Sequence, residues 1–118
     1  MKILNKILFV AILLLSIQSL QAQKIQEIDT ATFKVAGVCE MCKDRIENAA
    51  LIKGVKFAEW NKDSKDLVVI YKTDKTTEED LHKAVAEYGH DTEKEKAKKE
   101  NYDKLPFCCA YRDGVETH

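Results

Sequence analysis

Four cysteines, Cys39, Cys42, Cys108 and Cys109, are the residues whose type and spacing can do chemistry in this chain. Cys39-Glu40-Met41-Cys42 sets two thiols three residues apart, at the start of a segment with helical periodicity. On a helix that spacing turns the second sulfur back toward the first. Unpaired N–H groups and the positive end of the helix dipole favour thiolates at such a start. Two thiolates grip one ion at about 2.1 to 2.3 Å each, and two soft donors suit Cu(I) or Hg(II) better than a structural Zn(II), which normally takes four ligands. An exposed two-coordinate site would leave room for a partner's thiol to attack. The same four residues also describe a thiol-disulfide oxidoreductase. The fold of such enzymes usually sets a cis-proline beside the dithiol, whereas the single proline here, Pro106, lies near the C-terminus. A third reading is an interaction domain whose cysteines are merely disulfides in an oxidising compartment.

Cys108 and Cys109 are adjacent, and Cα atoms about 3.8 Å apart fall below the usual disulfide range. That leaves pairing with Cys39 or Cys42, pairing with another molecule, or metal ligation. His90 is a further candidate ligand, since a neutral imidazole can donate a third bond; the alternative is a loop histidine facing water. His82, beside an apolar helical stripe, and His118, at the end of the chain, read as surface residues. Met41 offers a weak thioether or simply shapes the loop. No Ser/His/Asp set, phosphate-binding loop or pair of acids suggests an enzyme.

The elements that must position these residues follow from periodicity. Ala31 to Val38 alternates as a half-buried strand ending at Cys39. Cys42, Ile46, Ala49 and Ala50 form the apolar stripe of a helix from Glu40 to Leu51. Val55 to Asn61 and Asp66 to Lys72 flank the polar turn Lys62-Asp63-Ser64-Lys65, which predicts a hairpin with Leu67, Val69 and Tyr71 on its buried face. Thr76 and Glu79 fit a capping box before a second stripe, Leu81, Ala84, Val85 and Tyr88, that Gly89 ends. Asp91 to Ala97 reads as a polar edge strand, and Lys98 to Leu105 as helix or coil that Pro106 stops. The expected fold is α+β: a ferredoxin-like βαββαβ sandwich, an antiparallel sheet with two helices on one face. In that topology Cys39, Cys42 and His90 come to one end.

The first residues read differently. Lys2 and Lys6 precede an apolar run from Ile7 to Ile17, and Ala22 offers a small residue for cleavage, the order of a signal peptide. The run is shorter than the ~18 to 20 residues that span a bilayer. The expected organisation is a signal peptide at 1–22, a domain at 23–97 and a C-terminal extension carrying the Cys-Cys pair at 98–118, in an exported or periplasmic protein with no membrane contact after cleavage. The net charge of −1 becomes −3 once the two lysines leave, so no basic excess invites nucleic acid.

The order β-α-β-β-α with C-x-x-C after the first strand resembles the heavy-metal-associated domain of copper chaperones and periplasmic mercury-binding proteins. The likeness runs from about Thr30 to Ala97. It rests on Cys39 and Cys42, Gly54-Val55, Trp60-Asn61 and Tyr88-Gly89-His90-Asp91. The family usually shows Gly-Met-x-Cys where this chain has Gly37-Val38-Cys39, one residue shorter and without the Met. Leu105-Pro106-Phe107-Cys108-Cys109 resembles an extension on exported members. The resemblance implies metal ligation by Cys39 and Cys42, a residue at the position of His90 beside the metal, and transfer to a metal-transporting ATPase or another metal-binding protein.

Overall fold

The computed structural model describes residues 2–18 and 27–118, with side chains at 2–12 and 27–118. The apolar run forms a helix, α1 (Lys2–Gln18). Among the described residues no helix is long and apolar enough to cross a membrane. The cleavage position expected at Ala22 lies outside the described residues.

A three-stranded antiparallel sheet follows, built from β1 (Ile28–Lys34), β2 (Val55–Trp60) and β3 (Asp66–Lys72) in the order β1-β3-β2. The central strand alternates as its sequence demands: Leu67, Val69 and Tyr71 are buried and their neighbours half-exposed. Their face is covered by α2 (Glu40–Ala50) and α3 (Glu78–Glu87). Cys42, Ile46, Ala49 and Ala50 are the buried stripe of α2, as the periodicity predicts. Phe33, Ile46, Leu67 and Leu81 are almost wholly enclosed, each stabilising the fold by roughly 1.5–3 kcal/mol.

The hairpin turn is made by Asn61, whose side-chain oxygen accepts from the N–H groups of Asp63 and Ser64, and by Lys65 in the left-handed region at φ 67°. This turn fixes Trp60. The indole N–H donates to the carbonyls of Val35 and Lys65 at 3.1 Å each. Glu47 on α2 accepts from the Trp60 N–H, while Lys43 donates to the Trp60 carbonyl. Gly37 lies against the same ring: a Cβ there would stand 2.9 Å from it and 3.1 Å from Cys42 Cβ. Trp60 thus holds both the loop entering α2 and the helix itself.

Several expectations need correction. Thr77, not Thr76, caps α3, its side chain accepting from the Asp80 N–H. The buried face of α3 is Leu81, His82, Val85 and Ala86, leaving Tyr88 half-exposed. His82 is therefore no surface residue. Its ring stacks on Phe33 with centroids 3.8 Å apart, which places α3 over β1. Thr92 Oγ1 accepts from the Lys94 and Glu95 N–H groups, so its own proton goes to His82 Nδ1, and Nε2–H faces Glu78. The burial is tolerated because both ring nitrogens have partners. The expected last strand is a single bridge, Val35 to Thr92. The side chains of Asp91 and Thr92 bind the backbone just ahead of them and turn the chain away. A short helix, α4 (Lys99–Tyr102), and two turns of 3-10 helix, Phe107–Cys109 and Tyr111–Asp113, complete the described chain.

Candidate metal centre

Cys39 is the cap residue of α2, in extended conformation, with its carbonyl accepting from the Lys43 N–H at 3.0 Å. As a thiol it makes no capping bond. Burial opposes its ionisation, but the backbone N–H groups of Cys42 and Met41 and the thiols of Cys42 and Cys109 outweigh this and lower its pKa to about 7. The helix start thus stabilises the negative sulfur that metal binding requires. Cys42 lies one turn on, its sulfur 3.4 Å from that of Cys39. Burial pushes its pKa up.

The other two cysteines come from the far end of the chain to the same place. Cys109 is fully buried, with Sγ 3.6 Å from Cys39 Sγ, and its thiol also interacts with that of Cys42. Burial and the two neighbouring sulfurs push its pKa strongly up. Cys108 is half-buried and donates to Met41 Sδ at 3.6 Å. The sulfurs of Cys39, Cys108 and Cys109 all lie within 4.8 Å of one another. None of the four cysteines is in a disulfide. Adjacency alone assigns the last two no partner; the fold puts both beside the C-x-x-C.

The site is not the exposed dithiol that the loop position suggested, because Cys39 is only 5% exposed and Cys42 not at all. The C-terminal segment covers it. Tyr111 donates its hydroxyl to the Gly89 carbonyl at 2.6 Å and accepts from the Asp91 N–H. Arg112 forms a two-pronged pair with Asp91 and also donates to the Ala97 carbonyl. Across the site, the His118 N–H donates to the Val38 carbonyl at 2.8 Å. Gly89 lets the segment approach: φ is +97°, and a Cβ would stand 2.6 Å from the Asn101 carbonyl oxygen. No local signal marks Tyr111 or Arg112 as fasteners, since their partners lie 15 to 22 residues away.

His90 lies at this end of the fold, as the topology predicts, but it is buried rather than exposed. Nδ1 donates to the Ala36 carbonyl at 2.8 Å, fixing the tautomer, and leaves Nε2 without a hydrogen-bond partner among the described residues. Burial lowers its pKa to about 4, so the ring is neutral at pH 7. It adds no atom to the group formed by Cys39, Cys108 and Cys109. Met41 is half-exposed beside Cys108, and His118 is exposed.

Comparison with known proteins agrees with this geometry. Residues 32–91 match the model of the heavy-metal-associated domain. Among solved structures, the chain is similar to the CopZ metallochaperone, at 27% identity and TM-score 0.52 over 54% of this chain and 98% of that one. It is similar to oxidized MerP from Ralstonia metallidurans CH34, at 26% identity and TM-score 0.53 over 56% and 94%. A third is the N-terminal domain of a potential copper-translocating P-type ATPase from Bacillus subtilis, in its Cu(I)-loaded state, at 29% identity and TM-score 0.53 over 56% and 85%. The search of curated proteins gave no match. Strand order, helices on one face, a C-x-x-C at the start of α2 and the matched span agree, and the chain belongs to the heavy-metal-associated domain family.

Proposed function

We propose that this is an exported heavy-metal-binding protein that holds a soft ion, Cu(I) ahead of Hg(II) or Zn(II), on the thiolates of Cys39 and Cys42, and passes it on or sequesters it. The observation that carries this reading is the 3.4 Å contact between the two sulfurs at the start of α2, where the Cys39 thiolate is already accessible near neutral pH. Cu(I) is favoured by the soft sulfur donors and by the likeness to the N-terminal domain of a potential copper-translocating P-type ATPase in its Cu(I)-loaded state. The same ATPase domain makes a metal-transporting ATPase a fitting partner. Export rests on Lys2, Lys6, the apolar run and Ala22.

Anaerobic titration of the reduced protein with Cu(I), against a competing chelator, should show tight binding that Cys39→Ser and Cys42→Ser abolish. Unchanged affinity in both variants would remove the central claim. Metal retained through purification under reducing conditions separates this reading from a thiol-disulfide oxidoreductase. Export is tested by fractionation and N-terminal sequencing: the mature chain should begin near Gln23, and full-length protein in the membrane fraction would contradict it.

A further inference from the structure

The C-terminal segment reaches the dithiol with a third sulfur, and the spacing of the sulfurs bears on how many of them an ion would take. Two metal–sulfur bonds of about 2.3 Å in a line hold their sulfurs about 4.6 Å apart, whereas three such bonds in a plane hold each pair about 4.0 Å apart. Cys39 and Cys42 stand at 3.4 Å, and Cys39 and Cys109 at 3.6 Å. A linear site would have to spread the dithiol by more than 1 Å against the packing of Gly37 on Trp60 and Cys42. A trigonal site needs only about 0.6 Å at the Cys39–Cys42 edge and about 0.4 Å at the Cys39–Cys109 edge.

Resting on the two-thiolate reading above, we propose that Cys109 is the third thiolate of the metal site, so that the ion is held three-coordinate by Cys39, Cys42 and Cys109. The C-terminal segment is then a structural part of the centre. Its placement does not depend on the ion alone, because Tyr111 and Arg112 fasten it to Gly89, Asp91 and Ala97, and His118 fastens it to Val38. None of the three sulfur-bearing residues is more than 5% exposed, so the ion is screened from water and from competing donors. Binding is ligand substitution without redox change: Cu(I) leaves its solution ligands, three S–H bonds break, three Cu–S bonds form and three protons pass to solvent. A coordinating thiol is deprotonated outright, so the burial of Cys109 is no obstacle. The Cys108 sulfur also lies within 4.8 Å of those of Cys39 and Cys109, but Cys108 is only half-buried and its thiol is turned to Met41 Sδ, so it is not one of the three.

The test is X-ray absorption on the full reduced chain loaded anaerobically with one equivalent of Cu(I), alongside Cys109→Ser, Cys109→Ala and Cys108→Ser. Wild type should show three sulfurs at one distance, both Cys109 variants two at a shorter distance, and Cys108→Ser three. Chelator competition should show Cu(I) held about tenfold or more less tightly by both Cys109 variants, equivalent to at least about 1.4 kcal/mol. The wild-type first shell needs no substitution, so a poorly folded variant leaves the inference testable. Two sulfurs in wild type, with affinity unchanged in the Cys109 variants, would overturn the third ligand and leave the dithiolate reading intact. Loss of one sulfur in Cys108→Ser but not in the Cys109 variants would overturn the assignment to Cys109. Wild type that retains no Cu(I) would overturn both.

Discussion

The loop entering α2 and the C-terminal segment each bring buried cysteines to one point by opposite means. Cys39 and Cys42 meet through helical geometry: they stand three positions apart, and the helix start stabilises the first sulfur. Cys109 arrives 70 residues later, held by Tyr111 and Arg112 rather than by its own spacing. The first half of the cluster is thus a local property and the second a product of tertiary hydrogen bonds. The matched span, residues 32–91, holds the first half and ends before the second.

The largest effect should come from breaking the local half. Cys39→Ser is expected to lower Cu(I) affinity roughly a thousandfold or more, about 4 kcal/mol, with the fold retained. Chelator competition and far-UV circular dichroism on the same sample check both parts. Retained affinity would mean that the segment's cysteines suffice without the C-x-x-C.

Next in size is the acid response of His90, which packs beneath the same loop. Its folded pKa of about 4 lies below the unfolded value of 6.5, so the native state favours the neutral ring. As pH falls the unfolded chain takes up the proton first; this stability is complete above about pH 6.5 and lost as pH drops toward 4, on the order of 3 kcal/mol in all. Urea unfolding of the metal-free protein from pH 7.5 to 4 should show that slope, and His90→Asn should flatten it. An equal slope in the variant would assign the acid lability elsewhere.

Arg112→Ala tests the fastening. Losing the pair with Asp91 and the bond to Ala97 should cost about 1 to 2 kcal/mol in thermal unfolding and raise the alkylation rate of Cys109 above that of wild type. Alkylation of Cys109 at the wild-type rate would show that packing alone holds the segment. The smallest expected effect is a control on a remote element. Thr77→Ala removes the cap of α3 and should cost about 1 kcal/mol while leaving thiol reactivity and Cu(I) affinity unchanged.

Periodicity carried the α+β fold because one face of each main element is buried: β3 alternates, and α2 buries Cys42, Ile46, Ala49 and Ala50 at helical spacing. It failed where polar side chains intervene. Thr92 binds its own turn and His82 besides, which ends the last strand after one bridge and takes a histidine into the core. No period records such a pairing, because it joins side chains from separate elements.

By itself the sequence determined the strand and helix order and the pairing of Cys39 with Cys42, since both depend on residues within a turn or a strand of each other. Only the tertiary structure decided that Cys109 closes on that pair, that the dithiol is buried and that His90 spends one nitrogen on Ala36. Those outcomes depend on contacts across 54 to 70 residues, where spacing along the chain carries no distance information.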